Sequence, residues 1–186
     1  MHQSASAARR HLRDLILIAL FAALLSLSAW IAIPFFTLPI TLQTFAVFCT
    51  VGLLGGKRGT LSILLYLLLG IIGLPVFSGM TGGVAVLLGP SGGFLIGFLM
   101  VGIVGGALSR LLRGSLWTEA LWMLIGLVLC YLLGTVWFYA VYAQSGEPIS
   151  ILAAVSTCVL PYILPDFCKL ALAVSVIRSI RRHLSL

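Results

Sequence analysis

Six apolar runs, each long enough to cross a lipid bilayer or nearly so, dominate this chain of 186 residues. A transmembrane helix needs about 20 predominantly apolar residues, depending on its tilt. Lipid offers exposed backbone groups no hydrogen-bond partners, so runs of this kind must be helical. We therefore predict an all-α integral membrane protein with six transmembrane helices in one bundle, a single membrane-embedded domain over residues 1–186. The predicted spans are Leu15–Ile33, Thr41–Gly55, Thr60–Leu74, Gly92–Leu108, Leu116–Val141 and Ile149–Ile177.

Composition excludes a soluble protein. Hydrophobic residues make up 61% of the chain and charged residues only 8%, whereas soluble domains carry about 25% charged residues. In a soluble protein, the net charge of +7 would suggest nucleic acid as a partner. Here the positive residues lie in short clusters at the ends of the apolar runs, where they orient helices in a membrane. The expected partner is therefore the lipid bilayer and not nucleic acid.

Basic residues occupy every second loop of this predicted arrangement. The loops between them, near Pro34–Ile40, Pro75–Ser91 and Tyr142–Pro148, contain no Lys or Arg. Cytoplasmic loops carry the excess of Lys and Arg in membrane proteins. Both termini are therefore predicted to be cytoplasmic, with the first apolar run retained as a span and not cleaved as a signal peptide. The basic residues of the charged loops and ends are Arg9, Arg10, Arg13, Lys57, Arg58, Arg110, Arg113, Arg178, Arg181 and Arg182.

The remaining basic residue, Lys169, lies inside the last apolar run, three positions after Asp166. Residues three apart share a helix face. A charged side chain at the centre of a bilayer costs about 2.5–3.5 kcal/mol on insertion scales, so it normally faces a cavity, a partner or a ligand. Pro161 and Pro165 are expected to break the helix just outward of the pair. An internal ion pair that only holds helices together is the alternative, but such pairs are weak evidence for stability. We favour a ligand role.

Gln43 is a second polar side chain near the outer end of a span. Its amide both donates and accepts hydrogen bonds, which suits a urea or amide ligand. Hydrogen bonding between helices explains it equally well. The long outer loop supplies further candidates, because its uncharged stretch with Gly79, Thr81, Gly82 and Gly83 can fold back on the bundle and present backbone groups to a solute.

Two pairs of glycines spaced four residues apart mark the fourth apolar run, Gly93 with Gly97 and Gly102 with Gly106. Small residues at this spacing let membrane helices approach closely. For these glycines, close packing of helices is the preferred interpretation.

Enzymatic motifs in the sequence are superficial. Gly89-Pro90-Ser91-Gly92 matches a short serine motif of intramembrane proteases, but the only nearby base within the membrane would be Lys169. The stretch 52–58 resembles a phosphate loop, yet it has Arg58 where Ser or Thr would hold magnesium. No enzyme activity, cofactor or metal site is predicted. The cysteines form no C-x-x-C pair and are interpreted as small apolar packing residues; they are Cys49, Cys130, Cys158 and Cys168.

Three segments together resemble the biotin transporter BioY family, the substrate-binding S component of energy-coupling-factor (ECF) transporters. The resemblance runs from Phe36 to Lys169. It is carried by LPITLQT at 38–44, by GIIGLPVF at 70–77 and by GGVAVLLGPSGGF at 82–94. The spacing of Asp166 and Lys169 also fits. Near the N-terminus, Ala19 and Ala23 resemble the small-residue patch by which S components dock on the coupling subunit.

The resemblance implies a six-helix bundle in the bacterial cytoplasmic membrane that captures biotin at its outer face. A transmembrane coupling subunit and two ATPase subunits would power uptake. Lys169 is then expected to pair with the biotin carboxylate and Asp166 to accept from a ureido N–H, with Gln43 and the glycines at 79–83 lining the site. The sequence does not decide which end of biotin meets which residue.

Other classes of function stay open at this point. The chain is alternatively an S component or a small channel for another solute, or a membrane packing or assembly protein without a transport role. A channel needs a continuous polar path, and the cytoplasmic halves of the predicted spans offer almost none. An assembly protein accounts for the glycines but not for Asp166 and Lys169.

Overall fold

Helices make up most of the chain in the computed structural model, which describes residues 2–35, 37–111, 116–146 and 149–184. Two two-residue strands, β1 (Ala32–Ile33) and β2 (Ile40–Thr41), pair antiparallel between the first two helices. This hairpin is a small departure from the predicted all-α class. The helices are α1 (His2–Trp30), α2 (Gln43–Ile71), α3 (Val84–Leu88), α4 (Gly92–Leu111), α5 (Leu116–Gln144), α6 (Ile151–Cys158) and α7 (Leu160–Leu184), with a short 3-10 helix at Ser78–Met80.

Four helical stretches are long and apolar enough to cross a membrane, and Gly92–Leu108 is a shorter apolar helix. Many large apolar side chains are exposed on the outside of the bundle, as in a protein whose solvent is lipid. The chain is thus a multi-pass membrane protein built from apolar helices. The four stretches are Ala8–Trp30, Gln43–Ile71, Trp117–Gln144 and Ile151–His183.

The helix α2 is folded into two antiparallel arms, 43–54 and 56–71. Gly55 has a φ of 77° and a ψ of 167°, which interrupts the helix. The Gln43 amide nitrogen lies 2.6 Å from the Tyr66 hydroxyl, although a straight helix would separate these residues by about 34 Å. The two arms correspond to the second and third predicted spans. Lys57 and Arg58 stand in the first turn of the second arm and not in a longer loop, because a single glycine makes the turn.

The helix α1 differs from its predicted span at both ends. It begins at His2 and contains the basic residues that were placed before it, and it ends at Trp30. Ile33, the predicted end of the span, belongs to β1. Hydropathy identifies only the part of a helix that lies in lipid, so it did not predict the polar first turns of α1.

The last span is interrupted at Val159, between α6 and α7. The two prolines do not break it as predicted. Pro161 lies in the first turn of α7, where its missing N–H costs nothing, and Pro165 is accommodated inside the helix. The interruption therefore lies about one turn earlier along the chain than expected, and Asp166 and Lys169 share a continuous helix.

Glycines bring α4 against both of its neighbours, which confirms their interpretation as packing residues. A Cβ at Gly97 would lie 2.7 Å from the Cys130 sulfur on α5. At Gly106, a Cβ would lie 2.8 Å from the Gly56 Cα on α2. Real Cβ atoms essentially never approach other atoms so closely, so a side chain at these positions would push the helices apart.

Charged side chains gather at one end of the bundle. Asp14 on α1 forms a salt bridge of 2.9 Å with Arg58 at the turn of α2. Arg181 near the end of α7 donates to Glu119 at the start of α5 at 2.5 Å and to the Gly52 carbonyl on α2. The loops predicted to share one side of the membrane thus share one end of the structure. Of the residues named in the sequence analysis, Phe36, Arg113 and Pro148 lie outside the described part of the chain.

Candidate functional site

A cavity of about 510 Å³ lies at the end of the bundle opposite to the charged side chains. Its walls come from the end of α1, the β-hairpin, the loop between α2 and α4, the first turns of α2, α4 and α7, the middle of α5 and the end of α6. Ligand pockets for small molecules typically have volumes of about 300–1,000 Å³ and an apolar lining with a few polar groups. This cavity fits that description, with aromatic and aliphatic side chains such as Phe77, Phe94, Phe98 and Leu127 around a small polar set.

Asp166 and Lys169 lie together in the wall of this cavity, as the sequence predicted. The Lys169 ammonium donates to Asp166 Oδ1 at 2.7 Å, and Asp166 is only 4% exposed. The Tyr131 hydroxyl on α5 donates to the other carboxylate oxygen, Oδ2, at 2.6 Å. The carboxylate is held by donors from two helices. Because an ammonium has three donors, Lys169 can still donate to an acceptor in the cavity.

Tyr162 connects the same face of α7 to the β-hairpin. Its hydroxyl donates to the Leu38 carbonyl in the loop between β1 and β2. Tyr162 precedes Asp166 by four residues, so both side chains lie on one face of the helix. The hairpin is therefore anchored one turn nearer the start of α7 than the charged pair, and it forms part of the cavity wall through Leu38 and Pro39.

Gln43 opens α2 and lines the cavity, although only 5% of it is exposed. Its amide nitrogen donates to the Tyr66 hydroxyl on the second arm at 2.6 Å. Its amide oxygen accepts from the Thr41 hydroxyl at 3.3 Å. Gln43 thus makes the predicted hydrogen bond between helical segments, here the two arms of α2, and its position in the cavity lining leaves its predicted ligand role open.

The outer loop folds back over the bundle, as its glycines predicted. Phe77 is 1% exposed and packs against Gly70, where an added Cβ would lie 1.9 Å from the phenyl ring. Gly79 and Thr81 line the cavity, but Gly82 and Gly83 are not among its lining residues.

Gly82 and Gly83 instead lie behind the lining. A Cβ on Gly82 would lie 2.2 Å from the Leu74 carbonyl oxygen. The Gly83 N–H donates to the Gly70 carbonyl at 2.7 Å, and its φ of 96° favours glycine. Both residues hold the outer loop on the end of α2. Their predicted direct contact with a ligand receives no support from this placement.

Ser91 lines the same cavity as Lys169, but the lysine is engaged as a hydrogen-bond donor to Asp166. An ammonium in that role does not serve as the base that a nucleophilic serine requires. This arrangement argues against a protease, in agreement with the sequence.

The cysteines divide into two groups. Cys49, Cys130 and Cys158 are buried and unpaired, as predicted, and the last two also line the cavity. Cys168 is exposed on the outside of α7 and does not pack in the core. The prediction was wrong for this residue because one position along a helix turns the side chain by about 100°, away from the face that Lys169 occupies.

Sequence reasoning missed the tyrosines of the site, Tyr66, Tyr131 and Tyr162. The hydroxyl partners lie 23, 35 and 124 residues away along the chain, on the other arm of α2 for Tyr66 and on another element for Tyr131 and Tyr162. A hydroxyl within an apolar span was the available signal, because a buried tyrosine normally finds a hydrogen-bond partner.

The predicted docking residues, Ala19 and Ala23, are both exposed on α1. The intervening Ala22 is 1% exposed and packs in the core. Leu20 and Leu27 continue the exposed face. The two alanines therefore lie on the surface of the bundle, where a helix of another protein can reach them.

Comparisons with known proteins agree on one family. The family model described as BioY family matches residues 1–186. The chain is 39% identical over 162 residues to the biotin transporter BioY of Thermotoga maritima, covering 87% of this chain and 92% of that protein. It is also 39% identical over 164 residues to a probable biotin transporter BioY of Pyrococcus horikoshii, covering 88% and 93% of the two chains.

A solved structure shares the fold. The crystal structure of the S component for biotin from an ECF-type ABC transporter superposes with a TM-score of 0.81 at 31% sequence identity. The match covers 94% of this chain and 93% of the other. The resemblance inferred from the sequence motifs is thereby confirmed at the level of both sequence and fold. Relatives named as transporters also agree with the prediction that the chain is not an enzyme.

Proposed function

We propose that this chain, which belongs to the BioY family, binds biotin in the cavity beside Asp166 and Lys169 and serves as the S component of an ECF-type uptake transporter. The observation that carries the proposal is the hydrogen-bonded group of Tyr131, Asp166 and Lys169 in an otherwise apolar cavity. Relatives and the matching solved structure are named for biotin.

The chemistry of biotin suits this lining. Its bicyclic ring is largely apolar and fits among the aromatic side chains of the cavity. Its carboxylate needs a cation, and Lys169 has donors left after its bond to Asp166. Its ureido N–H groups need acceptors, which the Asp166 carboxylate and the Gln43 amide oxygen provide. Gly79 and Thr81 complete the outer wall.

We place all six apolar segments across the bacterial cytoplasmic membrane, with both termini in the cytoplasm and the cavity facing outward. The support is the gathering of Arg58, Glu119 and Arg181 at the end opposite to the cavity. Biotin captured outside is then delivered inward with a transmembrane coupling subunit and two ATPase subunits. The exposed patch of Ala19 and Ala23 on α1 is the proposed docking face for the coupling subunit, because small residues allow a close helix approach.

A channel is the less favoured function because apolar side chains fill the bundle below the cavity. Phe48, Met123 and Trp122 are at most 1% exposed. The Trp122 indole donates to Glu119 at 2.9 Å, so the packed core reaches the charged end. A solute would have to displace this packing to cross the bundle. This agrees with a carrier that depends on a partner protein for transport.

Isothermal titration of the purified protein with biotin and with desthiobiotin tests the proposal. We expect specific binding that Asp166→Ala and Lys169→Ala each weaken strongly, because removing one member of a desolvated pair costs roughly 2–5 kcal/mol. Leu172→Ala is the control, since Leu172 is 54% exposed on the outside of the same helix. If both variants of the pair bound biotin like the parent, the pair would be structural and the proposed site would be wrong.

A further inference from the structure

A basic groove with a volume of about 570 Å³ lies at the charged end of the bundle, between α1 and the turn of α2. Its wall on α1 consists of His11, Asp14, Leu15 and Ile18. Residues at this spacing share one face of a helix. The two polar residues come first along α1 and the two apolar residues follow, so the wall changes from polar to apolar over about 10 Å.

The wall of the basic groove on α2 changes in the same direction. Lys57 and Arg58 line it at the turn, and Leu61 lines it about one helical turn deeper in the bundle. Leu61 is 40% exposed, and Leu15 on the opposite wall is 64% exposed. The apolar part of the groove is therefore open to the lipid that surrounds the helices.

Positive charge is in excess in the basic groove. Asp14 is neutralised by Arg58, which it contacts at 2.9 Å. A guanidinium has five N–H donors, so Arg58 retains donors for a second anion. Lys57 is exposed and has no salt-bridge partner within the described residues. With His11 counted as neutral, two positive charges against one negative charge leave one positive charge uncompensated.

A basic rim above an apolar wall matches the chemistry of an anionic phospholipid. The headgroup layer on each side of a bilayer is about 5–8 Å thick, so a groove about 10 Å deep crosses it and enters the hydrocarbon. We propose that the basic groove binds a phospholipid with one negative charge, with its phosphate at Lys57 and Arg58 and an acyl chain along Leu15 and Leu61. Basic pockets between transmembrane helices are suited to such headgroups.

Two other occupants fit the basic groove less well. Free phosphate would match the basic rim but would leave the apolar wall without a partner. The proposed docking face for the coupling subunit points elsewhere, because Ala19 and Ala23 are turned by roughly 90–130° around α1 from the middle of the groove wall. The inference is also independent of the proposed biotin site, which lies at the opposite end of the bundle.

Thermal unfolding of the purified protein in mixed micelles tests the inference, because a ligand that binds only the folded state raises the melting temperature. Dioleoyl-phosphatidylglycerol is the anionic probe. Dioleoyl-phosphatidylcholine has the same chains without net charge, and inorganic phosphate supplies the anion without chains. The ionic strength is about 0.15 M, where the Debye length is about 8 Å and distant charges contribute little. We expect a saturable rise with phosphatidylglycerol and little change with the other two.

Lys57→Gln removes the cation that has no salt-bridge partner. The apparent affinity for phosphatidylglycerol should fall about fivefold, the contribution of one basic residue at an anionic membrane surface. Arg178→Gln is the matched control, since it removes the same charge from an exposed residue near the end of α7 that does not line the groove. This control is expected to bind the lipid like the parent.

A loss of lipid affinity in Lys57→Gln, with Arg178→Gln like the parent, supports the inference. Equal losses in both variants would show that the lipid responds only to net charge. No rise with phosphatidylglycerol, or an equal rise with phosphatidylcholine or phosphate, would exclude an anionic lipid site. If Lys57→Gln weakened co-purification with the coupling subunit and left the lipid effect unchanged, the groove would be a protein interface. Each of these results overturns the inference, whereas a failure to bind biotin overturns only the proposed function.

Discussion

Asp166 is the residue whose surroundings decide the chemistry of the cavity. Burial of a carboxylate is costly unless charged or polar donors compensate it. Lys169 supplies one donor from the same helix, and Tyr131 supplies another from α5. Tyr131 therefore supports the charged pair without carrying charge itself.

Tyr131→Phe tests how much the hydrogen bond from Tyr131 to Asp166 contributes to stability and to biotin binding. The change leaves one carboxylate oxygen without its donor, and a hydrogen bond to a charged group contributes about 1.5–3 kcal/mol. We expect a lower melting temperature and weaker biotin binding, measured by thermal unfolding and titration in the same detergent. Tyr139→Phe, exposed on the same helix, is the control. Unchanged melting and binding in Tyr131→Phe would show that its hydroxyl contributes nothing to the pair.

Asp166 and Lys169 could be predicted from the sequence because charge inside an apolar run is visible along one dimension. Their partner Tyr131 could not, since it lies 35 residues away and only the crossing of α5 and α7 brings it near. The same limit applies to Tyr66, which reaches Gln43 only because α2 turns back at Gly55.

At the scale of single elements, the second arm of α2 is the support on which the outer loop rests. Its Gly70 accommodates the Phe77 ring, and the Gly70 carbonyl accepts from the Gly83 N–H at 2.7 Å. Phe77 also lines the cavity. The position of this loop therefore depends on the absence of a side chain at Gly70.

Gly70→Ala should weaken biotin binding, because the added methyl would lie 1.9 Å from the Phe77 ring and displace it from the cavity wall. Gly106→Ala is the matched control, since it forces α4 from α2 at the opposite end. Both variants are expected to melt at lower temperature, but only Gly70→Ala should lose affinity. Equal binding by the two variants would show that the Phe77 ring does not shape the site.

The exposed face of α1 gives a prediction about the proposed partner. Ala19→Trp or Ala23→Trp should leave biotin binding and melting temperature intact but weaken co-purification with the coupling subunit, because a bulky ring prevents close helix contact. Ala22→Trp is the contrasting variant, since Ala22 is 1% exposed and should lose stability instead. Loss of stability in Ala19→Trp would place that alanine against the core and end its docking assignment.

The elements themselves were predictable to differing degrees. The apolar runs located α4 and α5 well, because lipid requires long hydrophobic helices. The interruption at Val159 was placed too far inward, since a proline in a first helical turn does not stop a helix. The short β-hairpin and the 3-10 turn left no periodic signal in segments of two or three residues.

The described part of the molecule is polarised: apart from Asp166 and Lys169, its paired charged side chains lie at one end and its cavity at the other. Because an apolar layer separates the two ends, the orientation in the membrane is defined by which end faces the cytoplasm. Positive residues favour the cytoplasmic side, and the alternation of basic and uncharged loops was sufficient to predict which loops share an end. The physical side of the membrane remains a prediction from that rule.

Cysteine labelling in intact cells tests the orientation. Cys168 is first replaced by Ser, because it is exposed. Met80→Cys places a thiol on the outer loop, where Met80 is 64% exposed, and an impermeant maleimide should label it without lysis. Lys57→Cys at the opposite end should react only after lysis. The reverse pattern would invert the proposed topology and with it the direction of transport.

Because the chain is synthesised from its N-terminus, the position of α7 has a further consequence. Asp166, Lys169 and Tyr162 all belong to this helix, which follows α1 to α6 along the described part of the chain. The proposed binding site of a nascent protein is therefore incomplete until α7 has entered the membrane. A chain that stalls or is cleaved before that moment would occupy the bilayer without the proposed biotin site.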